Sequence, residues 1–135
     1  MIRLSCDNRR VDGFTCPCGL GDDYDMCCGR LHAGAPALTA ESLMRSRYSA
    51  FAVGDAAYLL RTWHSSTRPK MLDLDPATKW TRLAVLETRD GGLFDATGIV
   101  KFRAIYVHDG QRGVMEETSR FARESKLWTY LDAIE

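Results

Sequence analysis

Four cysteines fall within thirteen positions, in the stretch "CPCGLGDDYDMCC" at residues 16–28. Cys16 and Cys18 are one residue apart, Cys27 and Cys28 are adjacent, and eight residues separate the two pairs. A segment this short, with almost no aliphatic side chains, cannot bury enough apolar surface to fold unaided. It needs a staple. A disulfide within either pair would be strained, because neighbouring side chains diverge. Disulfides between the pairs require an oxidising compartment. The N-terminal "MIRLSCDNRR" lacks the apolar run of a signal peptide, and no stretch reaches the length of a membrane span. The expected location is therefore cytoplasmic, where thiols stay reduced.

Four thiolates match the tetrahedral preference of zinc, and iron is the alternative in a soft sulfur site. Cys16, Cys18, Cys27 and Cys28 are thus the expected metal ligands, and zinc the expected cofactor. Four protein ligands leave no open position, so the site reads as structural. His32 follows Cys28 by four residues and is a weaker substitute ligand. Cys6 stands outside the cluster and reads as an incidental thiol.

The remainder has the composition of a globular domain, with 45% hydrophobic and 27% charged residues. Eighteen basic and eighteen acidic residues cancel, so no global field favours nucleic acid or a membrane surface as partner. In "LTAESLMRSRYSAF", Ala40, Leu43, Met44, Tyr48 and Phe51 fall on one helical face, with Thr39 as N-cap. Gly54 ends that helix and Asp55 caps a second, whose apolar face runs through Ala56, Leu59, Leu60 and Trp63. "KMLDLDPATK" has room for a short helix limited by Pro76. From Trp80 the period becomes two. "WTRLAVLET", "ATGIVKFRAIYVH", "VMEETSRFARES" and "KLWTYLDAI" read as four strands joined by short turns, "RDGG" and "DGQRG" among them. Helices followed by a meander give an α+β domain, with helices packed on one face of a four-stranded antiparallel sheet.

"CPCGLGDDYDMCCG" resembles the SEC-C motif, the metal-binding tail of the SecA translocation motor. "AESLMRSRYSAFAVGDAAYLLRTWHSSTRP", "SRFAR" and "WTYLD" resemble the bacterial YchJ family, and the resemblance runs from residue 14 across nearly the whole chain. It implies an N-terminal arm (1–13), a SEC-C zinc knuckle (14–35) and a nuclear-transport-factor-2-like domain (36–135): a curved sheet wrapped around helices into a cone with a pocket. The chain departs from the motif in two ways. Leu20 stands where SEC-C has serine, and "DDYDM" replaces a lysine-rich stretch, which disfavours acidic partners.

Such a cone hosts enzymes as well as binding proteins, so the residues must decide. His64 and Glu117 are the acid–base candidates. His64 reads more readily as a brace for the "SSTRP" turn. Glu117 shares a strand face with Met115, Ser119 and Phe121, and reads more readily as half of an ion pair with Arg45 or Arg47. Those two arginines lie about 200° apart on the helix and cannot both line one narrow pocket. Tyr48, Trp63 and Trp80 are candidate aromatic walls, and Arg45 and Arg120 candidate pocket cations. The first expectation is a zinc-stapled binding protein, with a protein partner at the knuckle and a small ligand or peptide in the cone. A small-molecule enzyme of the isomerase or hydrolase type, and a zinc- or iron-handling protein, are the alternatives. A homodimer through the sheet is left open.

Overall fold

The period-two segments form an antiparallel meander: β1 (Thr78–Asp90), β2 (Thr97–His108), β3 (Gln111–Glu124) and β4 (Leu127–Ala133), hydrogen-bonded in that order. A computed structural model describes residues 14–134. The arm at 1–13, with Cys6, lies outside the described residues. Three register shifts curve the sheet. On β1, Thr81 and Leu86 are extra residues opposite β2, and Leu131 is the extra residue on β4 opposite β3. Each such bulge bends its strand and increases the local twist.

Among the described residues, three α-helices precede the sheet: α1 (Cys28–His32), α2 (Ala40–Val53) and α3 (Ala56–Arg61). Thr39 caps α2 by accepting from the Ser42 amide at 3.0 Å, and Asp55 caps α3 by accepting from the Tyr58 amide at 3.0 Å. Leu43, Met44 and Tyr48 of α2 bury themselves against Val100, Phe102, Ala104, Phe121 and Trp128 of the sheet. The start of α2 approaches the β1–β2 turn so closely that the Ala40 amide donates to the Gly91 carbonyl at 2.9 Å. A Cβ on Gly98 would stand 2.5 Å from the Gly91 Cα and 3.1 Å from the Ala40 Cβ.

Local detail departs from the sequence reading at four points. Helix α3 stops at Arg61, and Trp63 leaves the helical face to bridge Tyr130 in parallel. There the His64 amide donates to the Tyr130 carbonyl, and the Tyr130 amide to the Thr62 carbonyl, both at 2.8 Å. Covering the edge of β4 satisfies its free backbone groups, which outweighs one more helical turn. "KMLDLDPATK" forms no helix. Pro76 bars one, and Asp75 instead closes a turn through its side chain to the Ala77 amide. The "RDGG" turn begins only after Asp90. In "DGQRG" only Asp109 and Gly110 turn, both with positive φ (49° and 81°), and Gln111–Gly113 already pair with β2.

The close approach at Gly98 gives a direct test. Gly98→Ala is expected to cost about 1–3 kcal/mol from overpacking against backbone, whereas Gly92→Ala, with only the Asp95 carboxylate 3.4 Å away, should leave stability nearly unchanged. Urea midpoints of the two variants decide it. Equal midpoints would mean that the helix–turn contact is slack.

Candidate functional site

The four cysteines converge. Their sulfurs all lie within 4.8 Å of one another, and the Cys18 and Cys27 sulfurs are 3.6 Å apart. All four are free thiols, and Cys16, Cys18 and Cys28 are buried. Tetrahedral coordination at ~2.3 Å per Zn–S bond places sulfurs about 3.8 Å apart, so the donor set fits a thiophilic ion. The backbone makes this possible. The Cys16 amide donates to the Asp22 carbonyl at 2.8 Å, closing a loop, and a 3-10 turn at Tyr24–Met26 leads Cys27 and Cys28 back onto it.

The electrostatics of the cluster are those of too many buried sulfurs. Hydrogen bonding with the Cys28 thiol and the Leu20 amide holds Cys18 down to about 5, against the cost of burial. Burial pushes Cys27 up to about 12, helped by its bond to Cys18. Cys28 is raised as the thiol partner of Cys18, and by burial. Four buried thiolates this close together would need a cation among them. Leu20, which lacks the serine hydroxyl of the SEC-C pattern, still contributes through its backbone amide.

The knuckle docks on α2. Arg45 donates to the Cys18 carbonyl at 2.9 Å while held by Glu41 at 2.9 Å. The Cys16 sulfur meets the Ser49 hydroxyl at 3.5 Å. His32 is no ligand. Its Nε2 lies 2.9 Å from the Ser46 carbonyl, which can only accept, so Nε2 carries the hydrogen, and Nδ1 pairs with the Tyr24 hydroxyl at 2.5 Å.

The opposite face of α2 roofs a cavity of about 280 Å³ between helix and sheet. Tyr48, Phe51, Trp63, Trp80 and Tyr130 line it, with Met115, Glu117, Ser119 and Phe121 from alternate positions of β3. Arg47 is buried in the same wall. Its Nη1 donates to the Leu59 carbonyl at 2.7 Å and to the Thr62 hydroxyl at 2.8 Å. Its guanidinium lies 5.1 Å from the Trp63 ring centre and 4.7 Å from that of Tyr130. Burial lowers its pKa to about 10, which leaves it cationic at neutral pH. Glu117 accepts from the Ser119 hydroxyl at 2.5 Å and the Tyr130 hydroxyl at 3.3 Å. Burial, and then the negative charge of Glu117, pushes Tyr130 up to about 12.

These geometries have counterparts in known proteins. The family model described as the YchJ middle NTF2-like domain matches residues 39–133. The chain belongs to the YchJ family. A UPF0225 protein of Streptomyces coelicolor is 56% identical over 118 residues, covering 87% of this chain and 92% of the relative. One from Corynebacterium glutamicum is 51% identical, covering 87% and 94%. A SEC-C motif containing protein from Rhodopseudomonas palustris, solved in solution, superposes with a TM-score of 0.76 at 30% identity, covering 89% of this chain and 97% of its own. The crystal structure of a SEC-C motif containing protein from Psychrobacter arcticus gives 0.73 at 27%, covering 87% and 80%.

Within this YchJ-family chain, the residues proposed from sequence for a pocket separate into two groups. Tyr48, Trp63, Trp80 and Glu117 meet at the cavity. Arg45, His64 and Arg120 do not. Arg45 faces the knuckle, and Arg47, on the other side of α2, takes the cavity position. His64 braces its own turn, with Nδ1 at 2.8 Å from the Ser66 hydroxyl. Arg120 has the opposite strand parity to Glu117 and Ser119, so it points outward and grips Asp132 at 2.7 and 2.6 Å. Glu117 makes no ion pair with Arg45 or Arg47 among the described residues. Hydroxyl donors satisfy it instead. The sequence signal for Arg47 was its spacing, three after Met44 and four before Phe51.

The Tyr48 hydroxyl and the Trp63 Nε1 are buried without a hydrogen-bond partner. Removing such an orphan relieves its desolvation cost, so Tyr48→Phe is expected to stabilise the protein by about 1 kcal/mol. A lower denaturation midpoint for the variant would show that the hydroxyl is satisfied in solution.

Proposed function

We propose that this protein is a zinc-stapled binding protein of the cytoplasm, in which the metal holds the knuckle against α2 and the cup between helix and sheet receives a small molecule. The observation that carries the reading is the convergence of four cysteine sulfurs within 4.8 Å, three of them buried. A closed, buried sulfur shell favours a structural ion over one handed to other proteins. A reducing compartment fits four free thiols, and no helix among the described residues is long and apolar enough to cross a membrane. The aromatic wall favours binding over catalysis, and His64 lies apart from Glu117. The outer surface of the knuckle, with Leu20 and Met26 exposed beside Asp22, Asp23 and Asp25, is the proposed face for a protein partner.

A second reading rests on Glu117. It is a carboxylate in a mostly apolar cavity, held by two hydroxyls, and suits acid–base work on a bound molecule.

Elemental analysis of protein purified from its native host is expected to return one zinc per chain. One iron would keep the staple and change the ion, and neither metal with oxidised thiols would remove the proposal. Cys27→Ser should abolish stoichiometric metal and strip hydrogen-exchange protection from residues 16–30 while the sheet stays protected. Loss of protection throughout β1–β4 would mean that knuckle and cup fold as one unit.

A further inference from the structure

The cavity wall holds one cation and one anion, and neither has its hydrogen-bonding capacity filled. Arg47 lines the cavity and is 7% exposed. Both N–H groups of its Nη1 are engaged, by the Leu59 carbonyl and the Thr62 hydroxyl. Its Nε and Nη2 donate to nothing among the described residues. Neither is one of the fully buried side-chain atoms without a partner, which are the Tyr48 hydroxyl and the Trp63 Nε1. Nε and Nη2 therefore keep accessible surface, and on a residue so enclosed the cavity it lines is the open space beside them. They are the adjacent donors that take a carboxylate in two parallel hydrogen bonds. A guanidinium stacks on rings by its faces and reaches acceptors by its edge, so the contacts with Trp63 and Tyr130 leave this edge free.

Glu117, which lines the same cavity, is the complement. The Ser119 and Tyr130 hydroxyls both donate to its Oε2. Oε1 accepts from nothing among the described residues and is not a fully buried atom either, so it stays open to a donor. The two charged groups flank one side chain. The Arg47 guanidinium lies 4.7 Å from the Tyr130 ring centre, and Glu117 lies 3.3 Å from the Tyr130 hydroxyl. With each other they make no ion pair among the described residues. The rest of the wall is aromatic: Tyr48 and Phe51 pack against Trp80 with ring centres 6.2 and 5.9 Å apart. At ~30 Å³ per water, 280 Å³ holds about nine water volumes, the size of a one-ring molecule.

We propose, building on the cup reading above, that the cavity binds a small zwitterion, an α-amino acid with an aromatic side chain. Its carboxylate is received by Nε and Nη2 of Arg47, its ammonium donates to Oε1 of Glu117, and its ring lies against the aromatic wall. An acid alone would bring a second anion beside Glu117, and an amine alone would face Arg47. A hydrocarbon would leave both charged groups unmatched. A zwitterion matches each of them and adds no net charge to an enclosed, mostly apolar site.

Four probes on one skeleton separate these cases on the full-length, metal-loaded protein, titrated by calorimetry and ligand-observed NMR. L-phenylalanine carries both charges, 3-phenylpropionate lacks the ammonium, 2-phenylethylamine lacks the carboxylate, and ethylbenzene lacks both. Phenylalanine is expected to bind about 10-fold tighter than each of the other three, the increment of one hydrogen bond to a charged group. Glu117→Gln keeps an acceptor for the Ser119 and Tyr130 hydroxyls and removes the charge. It should bring phenylalanine to within about twofold of 3-phenylpropionate. Arg47→Met should bring phenylalanine down to the level of 2-phenylethylamine. Arg47 also ties α2 to the end of α3, so where that variant fails to fold, the ranking of the four probes and Glu117→Gln decide. Any of the three partial probes binding as tightly as phenylalanine, or an ammonium advantage that persists in Glu117→Gln, overturns the zwitterion assignment and leaves the cup standing. Binding by none of the four overturns the cup reading and this inference with it.

Discussion

Buried sulfur can carry little negative charge unless a cation shares the space, and the knuckle is organised around that constraint. Three of its four cysteines are shut away from water, and hydrogen bonding with the Cys28 thiol and the Leu20 amide draws the Cys18 pKa down. The segment contributes almost no aliphatic core of its own. What holds it is the shared sulfur site, three polar contacts to α2 from Cys16, the Cys18 carbonyl and His32, and Leu31, buried with Ala50, Tyr58 and Leu59. A metal bound there stabilises the protein in proportion to its affinity, because the unfolded chain offers no preformed site.

The same helix serves the cup. Ser46 and Ser49 are completely buried toward α3 and the knuckle, and Met44 and Tyr48 are buried toward the sheet. Helix α2 thus has hardly a solvent face over its central turns, which explains its mixture of buried arginine, serine and aromatic residues. Arg45 and Arg47 mark the division: two residues apart, they point to the two different sites. The structure thereby links the sulfur cluster and the cavity through a single helix, with polar packing on one side and aromatic packing on the other.

Within the cavity, charge is balanced without direct pairing. Arg47 is held by a carbonyl and a hydroxyl from the α3 region, and Glu117 by two hydroxyls from the sheet. Each ionised group keeps its own hydrogen bonds, so neither has to neutralise the other, and the space between aromatic walls stays largely apolar. A site of this type selects by shape first and by a few oriented polar groups second.

Much of this was legible in the chain itself. The spacing of Cys16, Cys18, Cys27 and Cys28 picked out the four sulfurs that converge, the switch from helical to period-two patterning named α2, α3 and the four strands, and Thr39, Gly54 and Asp55 marked helix ends, because all of these are local patterns. Strand parity also grouped Met115, Glu117, Ser119 and Phe121, and would have turned Arg120 outward. Tertiary structure alone decided the rest. It chose Arg47 over Arg45 for the cavity, drew Trp63 out of its helix to cover the edge of β4, gave Glu117 hydroxyl partners instead of a cation, and set the knuckle on α2. Those outcomes depend on which backbone groups and side chains meet across distances of tens of residues, and a one-dimensional pattern carries the face of a residue but not what waits on the other side of it.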